Sequence, residues 1–137
     1  MSARLTAQDH RDRAVTEAAF QRQVTDLATA LGWSWAHWRP LQNRRGMWQV
    51  PVEGPLGAGW PDLTLLRVRD RRLLFVELKR ELGTVSADQA AVLAALGELR
   101  HPLSSNLAAM PSLQVAVWRP SMLRDPIETS PIYEALR

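Results

Sequence analysis

Two neighbouring runs of β-forming residues constrain the fold of this chain more than any other feature. Leu63 to Arg69 and Leu73 to Lys79 flank a short charged stretch around Asp70. This arrangement predicts an antiparallel hairpin that supplies two central strands. The pairing of such a hairpin sets Asp62 opposite residues 77 to 79. We therefore expect Asp62 and Glu77 to meet at one end of a sheet.

The second run of the hairpin changes character at its C-terminal end. Its alternate positions Leu73, Phe75, Glu77 and Lys79 share one face, and only the last two are charged. One interpretation is a Glu77–Lys79 ion pair on a strand that emerges into solvent. The other adds Asp62, because two neighbouring carboxylates repel and commonly bind a divalent cation. Asp62, Glu77 and the carbonyl of Leu78 would then be metal ligands. In metal-assisted hydrolysis of a phosphodiester, Lys79 would face the scissile phosphate.

Helical spacing of apolar residues occurs on both sides of the hairpin. Residues 9 to 31 carry a repeat that predicts one helix, with Glu17 on or beside its apolar face. Residues 86 to 99 predict another helix, opened by Ser86 and Gln89. Gln89 has two interpretations of equal weight, a capping partner of Ser86 or a member of the site. The buried stripe of this second helix is expected to consist of Val92, Leu93, Leu96 and Leu99.

The rest of the chain supplies shorter elements. Residues 33 to 38 and 113 to 118 predict strands, and their tryptophans are expected in the core. Residues 39 to 60 hold too many prolines and glycines for any long element. Residues 101 to 112 predict a loop, and the tail from Ser121 gives no signal beyond short helical turns. The order of elements predicts an α/β fold with a central mixed sheet flanked by helices.

Length and composition narrow the function classes. A chain of 137 residues without cysteine fits a single domain over residues 1–137 and excludes disulfides, thiolate zinc sites and a cysteine nucleophile. A metal would need oxygen or histidine ligands, which favours Mg²⁺, with Mn²⁺ as a substitute. The sequence has neither a signal-peptide core nor an apolar run of roughly 18 residues, so we expect a cytoplasmic protein without a membrane partner.

The positive charge is concentrated in the middle of the chain. Residues 37 to 72 contain seven arginines and three acids, a surplus of four, whereas Lys79 is the only lysine of the protein. A polyanion such as nucleic acid is the expected partner, and a solvated arginine-rich face is the alternative. The candidate nucleic-acid contacts are Arg39, Arg44, Arg45 and, for base stacking, Trp48.

Four motifs occur in order along the chain and together resemble VRR-NUC domains, a branch of the PD-(D/E)XK nucleases. They are Gly59-Trp60-Pro61-Asp62, Phe75-Val76-Glu77-Leu78-Lys79, Ser86-Ala87-Asp88-Gln89 and Val117-Trp118-Arg119-Pro120. The resemblance covers residues 10 to 125. It implies a restriction-endonuclease-like core with Asp62, Glu77 and Lys79 as catalytic centre. It also implies that Glu17 acts on the metal side and that Gln89 belongs to the active site.

The same resemblance implies a metal-dependent DNA endonuclease of a bacterial or phage-infected cell. Small members are similar to Holliday-junction resolvases, so branched DNA is the leading substrate and a symmetric homodimer the expected active form. A flap- or restriction-type nuclease is the alternative within this class. A catalytically silent DNA-binding module is the alternative from another class, and the intact set of Asp62, Glu77 and Lys79 argues against it.

Overall fold

A four-stranded mixed sheet forms the centre of the fold, and helices pack on both of its faces. The computed structural model describes residues 3–38, 41–49, 52–99 and 112–137. The helices are α1 (Ala7–Ala14), α2 (Glu17–Ala30), α3 (Ala87–Glu98) and α4 (Pro131–Leu136), and the strands are β1 (Ser34–His37), β2 (Leu41–Gln42), β3 (Trp48–Gln49), β4 (Leu63–Arg67), β5 (Arg72–Leu78) and β6 (Ser112–Trp118). The α/β class with a mixed sheet is therefore as the sequence predicts.

The sheet has the strand order β1-β4-β5-β6. The β4–β5 hairpin is antiparallel, β1 is antiparallel to β4, and β6 runs parallel to β5. Leu63 pairs with Val76, so the next position outward sets Asp62 opposite Glu77. The predicted hairpin and its register are confirmed. Its turn is tight because Arg71 adopts a left-handed backbone conformation with φ of 58°.

The core lies on the sheet face that α2 and α4 cover. Leu74, Val76 and Leu78 alternate along β5 and are buried there, against Phe20 and other apolar residues of α2. Helix α3 covers the opposite face, where Gly97 lies against the side chain of Val115. Each fully buried aliphatic side chain contributes roughly 1.5–3 kcal/mol to folding. This packing holds the C-terminal end of β5 between two helices.

The prediction of one helix over residues 9 to 31 is wrong. Val15 and Thr16 are extended and separate α1 from α2, and the Thr16 hydroxyl accepts a hydrogen bond from the backbone N–H of Ala19. A threonine that caps a new helix competes with continuation of the old one, which apolar spacing does not reveal. The break makes Glu17 the first residue of α2.

Three side chains predicted to be buried are exposed. Leu99 follows the end of α3 and is 65% exposed, because the helix stops before the last position of its stripe. Trp35 lies on the edge strand β1 and is 43% exposed, and Trp38, which directly follows that strand, is 39% exposed. Trp33 and Trp118, in contrast, belong to the core, as expected.

Residues 41–49, here called the arm, form a small hairpin of β2 and β3 within the punctuated stretch. Asn43 closes its turn, because its side-chain oxygen accepts hydrogen bonds from the backbone N–H groups of Arg45 and Met47, each at 2.9 Å. Nearer the C-terminal end of the chain, α4 contributes the fully buried Ile132 and Leu136 to the core. Across the described ranges, no helix has the length and apolarity needed to span a bilayer.

Candidate active site

Asp62, the residue before β4, is held at the end of the sheet by hydrogen bonds to its backbone carbonyl and to its side chain. The Asp62 carbonyl accepts a hydrogen bond from the backbone N–H of Trp38 at 2.9 Å. One oxygen of its carboxylate accepts another from the backbone N–H of Leu78 at 3.0 Å. The side chain is therefore oriented before any ligand arrives, at the point where β5 ends.

Glu77 has one satisfied and one unsatisfied oxygen. Its side chain is 1% exposed, and Oε1 accepts a hydrogen bond from Nε2 of Gln89 at 2.6 Å. Nζ of Lys79 lies 3.2 Å from the same oxygen. Within the described part of the chain, the buried Oε2 has no hydrogen-bond partner. An unpaired buried carboxylate oxygen is costly, and a group bound from outside the fold would remove that cost.

The electrostatics of the site follow from this arrangement. Burial, followed by the negative charge of Asp62, raises the pKa of Glu77 from its ordinary 4.5 to about 7, although Lys79 acts against the rise. Glu17 stands at the N-terminus of α2, where desolvation and then the charge of Asp62 raise its pKa as well. Three carboxylates are thus held near one another at the end of the sheet.

Gln89 makes the capping contact that its sequence context predicts and also contacts Glu77. Its side-chain oxygen accepts a hydrogen bond from the backbone N–H of Ser86 at 2.9 Å, which completes the capping box. Its amide nitrogen simultaneously donates to Glu77. The close packing of Gly59 makes this possible, because a Cβ at that position would overlap the carbonyl of Asp88. The start of α3 can therefore approach the end of β5.

A cleft of about 410 Å³ opens beside these residues. Glu17 and Asp62 line it, together with Leu78, and the arm adds the indole of Trp48. Its remaining lining residues are Ala18, Gln21, His37 and Trp38. Glu17 and Asp62 therefore border a space large enough for a small ligand or part of a larger one.

The residues of the site suit a divalent cation held by few protein ligands. No cluster of three or more His, Cys, Asp or Glu side chains within the described ranges is arranged to hold a metal. Asp62 and Glu77 nevertheless supply hard oxygen donors, and Oε2 of Glu77 lacks a partner among the described residues. Mg²⁺ commonly binds through one or two carboxylates and retains several waters, so two carboxylates with the Leu78 carbonyl fit it.

The predicted nucleic-acid contacts are only partly gathered at the cleft. Arg44 and Arg45 are exposed on the arm and do not line the cleft, whereas Trp48 does. Arg39 lies outside the described residues. Two other arginines, Arg13 and Arg80, line a second cavity of about 310 Å³. Sequence reasoning missed this pair, because Arg13 and Arg80 are distant in sequence and line the same cavity only in the folded chain.

Gln21 and Arg119 are two further residues beside the site that the sequence pattern could have indicated. Gln21 is one helical turn after Glu17, a spacing that places both on one face of α2. Arg119 follows β6 and donates to the carbonyls of Arg80, Glu81 and Gly83 at 2.9, 3.3 and 2.6 Å. These hydrogen bonds hold in place residues 80 to 83, which directly follow Lys79.

No protein-family model, curated protein or solved structure matches this chain. The resemblance to VRR-NUC domains therefore stays a prediction, and any function rests on the chemistry of the site.

Proposed function

We propose that this protein is a metal-dependent DNA endonuclease with a restriction-endonuclease-like core. The observation that carries the proposal is the buried carboxylate of Glu77. It keeps one oxygen without a partner among the described residues, beside Asp62 and next to the single lysine of the chain. Most buried carboxylate oxygens in native proteins have a hydrogen-bond partner, so the unpaired one supports a site that a ligand completes. A carboxylate pair with an adjacent ammonium suits phosphodiester hydrolysis.

The protein's own residues divide the chemistry among them. A divalent cation bound by Asp62, Glu77 and the Leu78 carbonyl would supply Lewis acidity toward the scissile phosphate. The Lys79 ammonium stabilises the negative charge that develops on that phosphate as water attacks phosphorus and the P–O bond breaks. Gln89 holds the Glu77 carboxylate in orientation. Glu17, which lines the cleft with Asp62, would accept hydrogen bonds from waters near that residue.

A polyanionic substrate fits the charges around the site. Arg80 directly follows Lys79, and its positive charge, like that of Lys79, acts against the rise in the pKa of Glu17, so Arg80 lies near the carboxylates. With Arg13 it lines the second cavity. Arg44 and Arg45 extend from the arm into solvent. Exposed and cavity-lining cations of this kind suit the phosphates of a nucleic-acid strand.

Branched DNA is the proposed substrate, and two symmetric cuts of a junction would require a homodimer with two sites. A flap- or restriction-type nuclease acting as a monomer is the alternative. The test is cleavage of end-labelled linear, flap and four-way DNA with Mg²⁺, Mn²⁺, Ca²⁺ or excess EDTA. Cleavage with Mg²⁺ and Mn²⁺ is expected, with binding but no cleavage in Ca²⁺.

Light scattering with and without junction DNA reports the oligomeric state in the same experiment. Paired cuts by a dimer support the junction assignment, whereas single nicks by a monomer support the flap alternative. Cleavage in excess EDTA by metal-stripped protein would contradict the metal-dependent mechanism. Metal-independent binding without cleavage of any of these substrates would favour the silent DNA-binding module.

A further inference from the structure

Two tryptophans line the cleft beside the carboxylates, and the proposed phosphodiester hydrolysis gives neither of them a role. Trp38, directly after β1, and Trp48 on the arm both line it, together with Asp62. We propose that the cleft binds an unpaired nucleobase stacked on these tryptophans, one nucleotide from the scissile phosphate. The inference rests on the proposed function for the identity of the phosphate, and on the cleft alone for the base.

The tryptophan rings are available for a ligand. Trp48 is 70% exposed and Trp38 is 39% exposed. Within the described ranges, the one close aromatic pair is Trp60 with Phe75, so neither cleft tryptophan stacks on another ring. Exposing two large aromatic side chains to water beside charged residues is unfavourable in free energy. Stacking on a base recovers roughly 1–3 kcal/mol.

A buried amide supplies the polar contact that a base edge requires. Gln21 is only 6% exposed yet lines the same cleft. Its amide nitrogen has a long contact of 3.5 Å with the Thr25 hydroxyl, and that hydroxyl donates to backbone carbonyls of α2. A primary amide offers both a donor and an acceptor, which matches the edge of a nucleobase.

This arrangement favours a particular class of nucleic acid. In a continuous duplex the base faces are stacked and the edges are paired, so neither the tryptophans nor Gln21 would find a partner. Extruding a base from such a duplex costs a few kcal/mol, and an unpaired base avoids most of that cost. We therefore expect the site to bind strands with unpaired nucleotides at the cleavage position, as occur in flaps, gaps and branch points.

The test measures binding without cleavage. A fluorescein-labelled single-stranded oligonucleotide is titrated with protein in EDTA, and the dissociation constant is read from anisotropy. Trp48→Leu should weaken binding about 10-fold, and Trp48→Phe should restore most of it. Trp35→Leu is the matched control, because Trp35 is exposed to a similar degree as Trp38 but does not line the cleft. It should change the dissociation constant less than twofold.

A second measurement locates the bound base. An abasic site is moved along the oligonucleotide, and one position should weaken binding of the wild type about as much as Trp48→Leu does, with no further loss in the variant. Equal effects of Trp48→Leu and Trp35→Leu, or duplex binding as tight as single-strand binding, would overturn the inference. If cleavage occurs with those results, the nuclease proposal stands alone. If base binding occurs without any cleavage, the inference stands and the nuclease proposal falls.

Discussion

The two ends of the β4–β5 hairpin each bury a charged side chain. The two side chains differ in how completely they are hydrogen-bonded. At the turn end, Arg67 is 3% exposed and its guanidinium is fully engaged. It donates to both oxygens of Asp70 at 3.0 and 2.8 Å, and to backbone carbonyls of Leu31, Leu136 and Arg137 at 2.9 to 3.0 Å. It also lies 4.6 Å from the ring centre of Trp33.

At the other end, Glu77 is equally buried but incompletely paired. The hydrogen bond from Arg67 lowers the pKa of Asp70, whereas burial and Asp62 raise the pKa of Glu77. A buried charge that ties three chain segments together, as Arg67 does, stabilises the fold. A buried charge with an unsatisfied oxygen and a raised pKa destabilises the metal-free fold, and such groups are enriched at functional sites. Four predictions test this contrast.

The largest effect should be on catalysis. Asp62→Asn, Glu77→Gln and Lys79→Ala should each reduce cleavage of the preferred DNA by about 10³-fold or more, because each removes a component of the reaction. Anisotropy in EDTA should show DNA binding within a few-fold of the wild type. Glu53→Gln, an exposed carboxylate outside the cleft, is the control and should cleave normally. Wild-type rates for any one of the three would remove that residue from the mechanism.

The next largest effect should be on stability, at the Arg67 end. Arg67→Met should lower the free energy of unfolding by about 3 kcal/mol, because it removes both hydrogen bonds to Asp70 and the shorter of the two to the Leu31 carbonyl. The Leu136 carbonyl also loses one donor and keeps its hydrogen bond from the indole N–H of Trp33. Urea denaturation followed by circular dichroism measures the loss. Arg69→Met is the matched control, since Arg69 is exposed and makes only a 3.4 Å contact with the Leu31 carbonyl. A loss below 1 kcal/mol for Arg67→Met would show that the network is dispensable.

At the Glu77 end, removing the buried charge should raise the free energy of unfolding instead of lowering it. Because the folded-state pKa is about 7 and the ordinary value is 4.5, the folded protein binds more protons between these values. Stability of the metal-free protein should therefore fall as pH rises from 4.5 to 7. Glu77→Gln should be more stable than the wild type by about 1–3 kcal/mol at pH 8 in EDTA, with no difference below pH 4.5. A variant less stable than the wild type at pH 8 would contradict the contrast.

The smallest effects should separate the two roles of Gln89. Ser86→Ala removes only the cap of α3 and should cost about 1 kcal/mol at every pH. Gln89→Glu keeps the capping box, since glutamate serves equally at that position, but places another carboxylate beside Glu77. Its loss of stability should therefore appear only as pH rises through 7. Thermal denaturation at pH 5 and pH 8 distinguishes the two, and identical pH profiles would mean that Gln89 acts only as a cap.

Local chemistry explains what could be predicted from the sequence. Hairpin pairing depends on a short turn and on alternation along two adjacent runs, so the register that brings Asp62 opposite Glu77 is contained in the residues themselves. The capping box of Ser86 and Gln89 spans four residues and is likewise readable. The α/β class and the end of the sheet that carries the charges followed from these local signals. The catalytic assignment of that end remains a prediction.

Tertiary packing decided the rest, because the relevant partners are distant in sequence. The periodicity of residues 9 to 31 conceals the break at Thr16, where capping outweighs helix continuation. Arg67 is buried only because α4 and the end of α2 converge on it, 69 and 36 residues away. The cleft unites Trp48 of the arm with Gln21 of α2 and Asp62 of the sheet. Apolar spacing specifies which face of an element is buried, and only the folded chain specifies which polar groups are left facing one another.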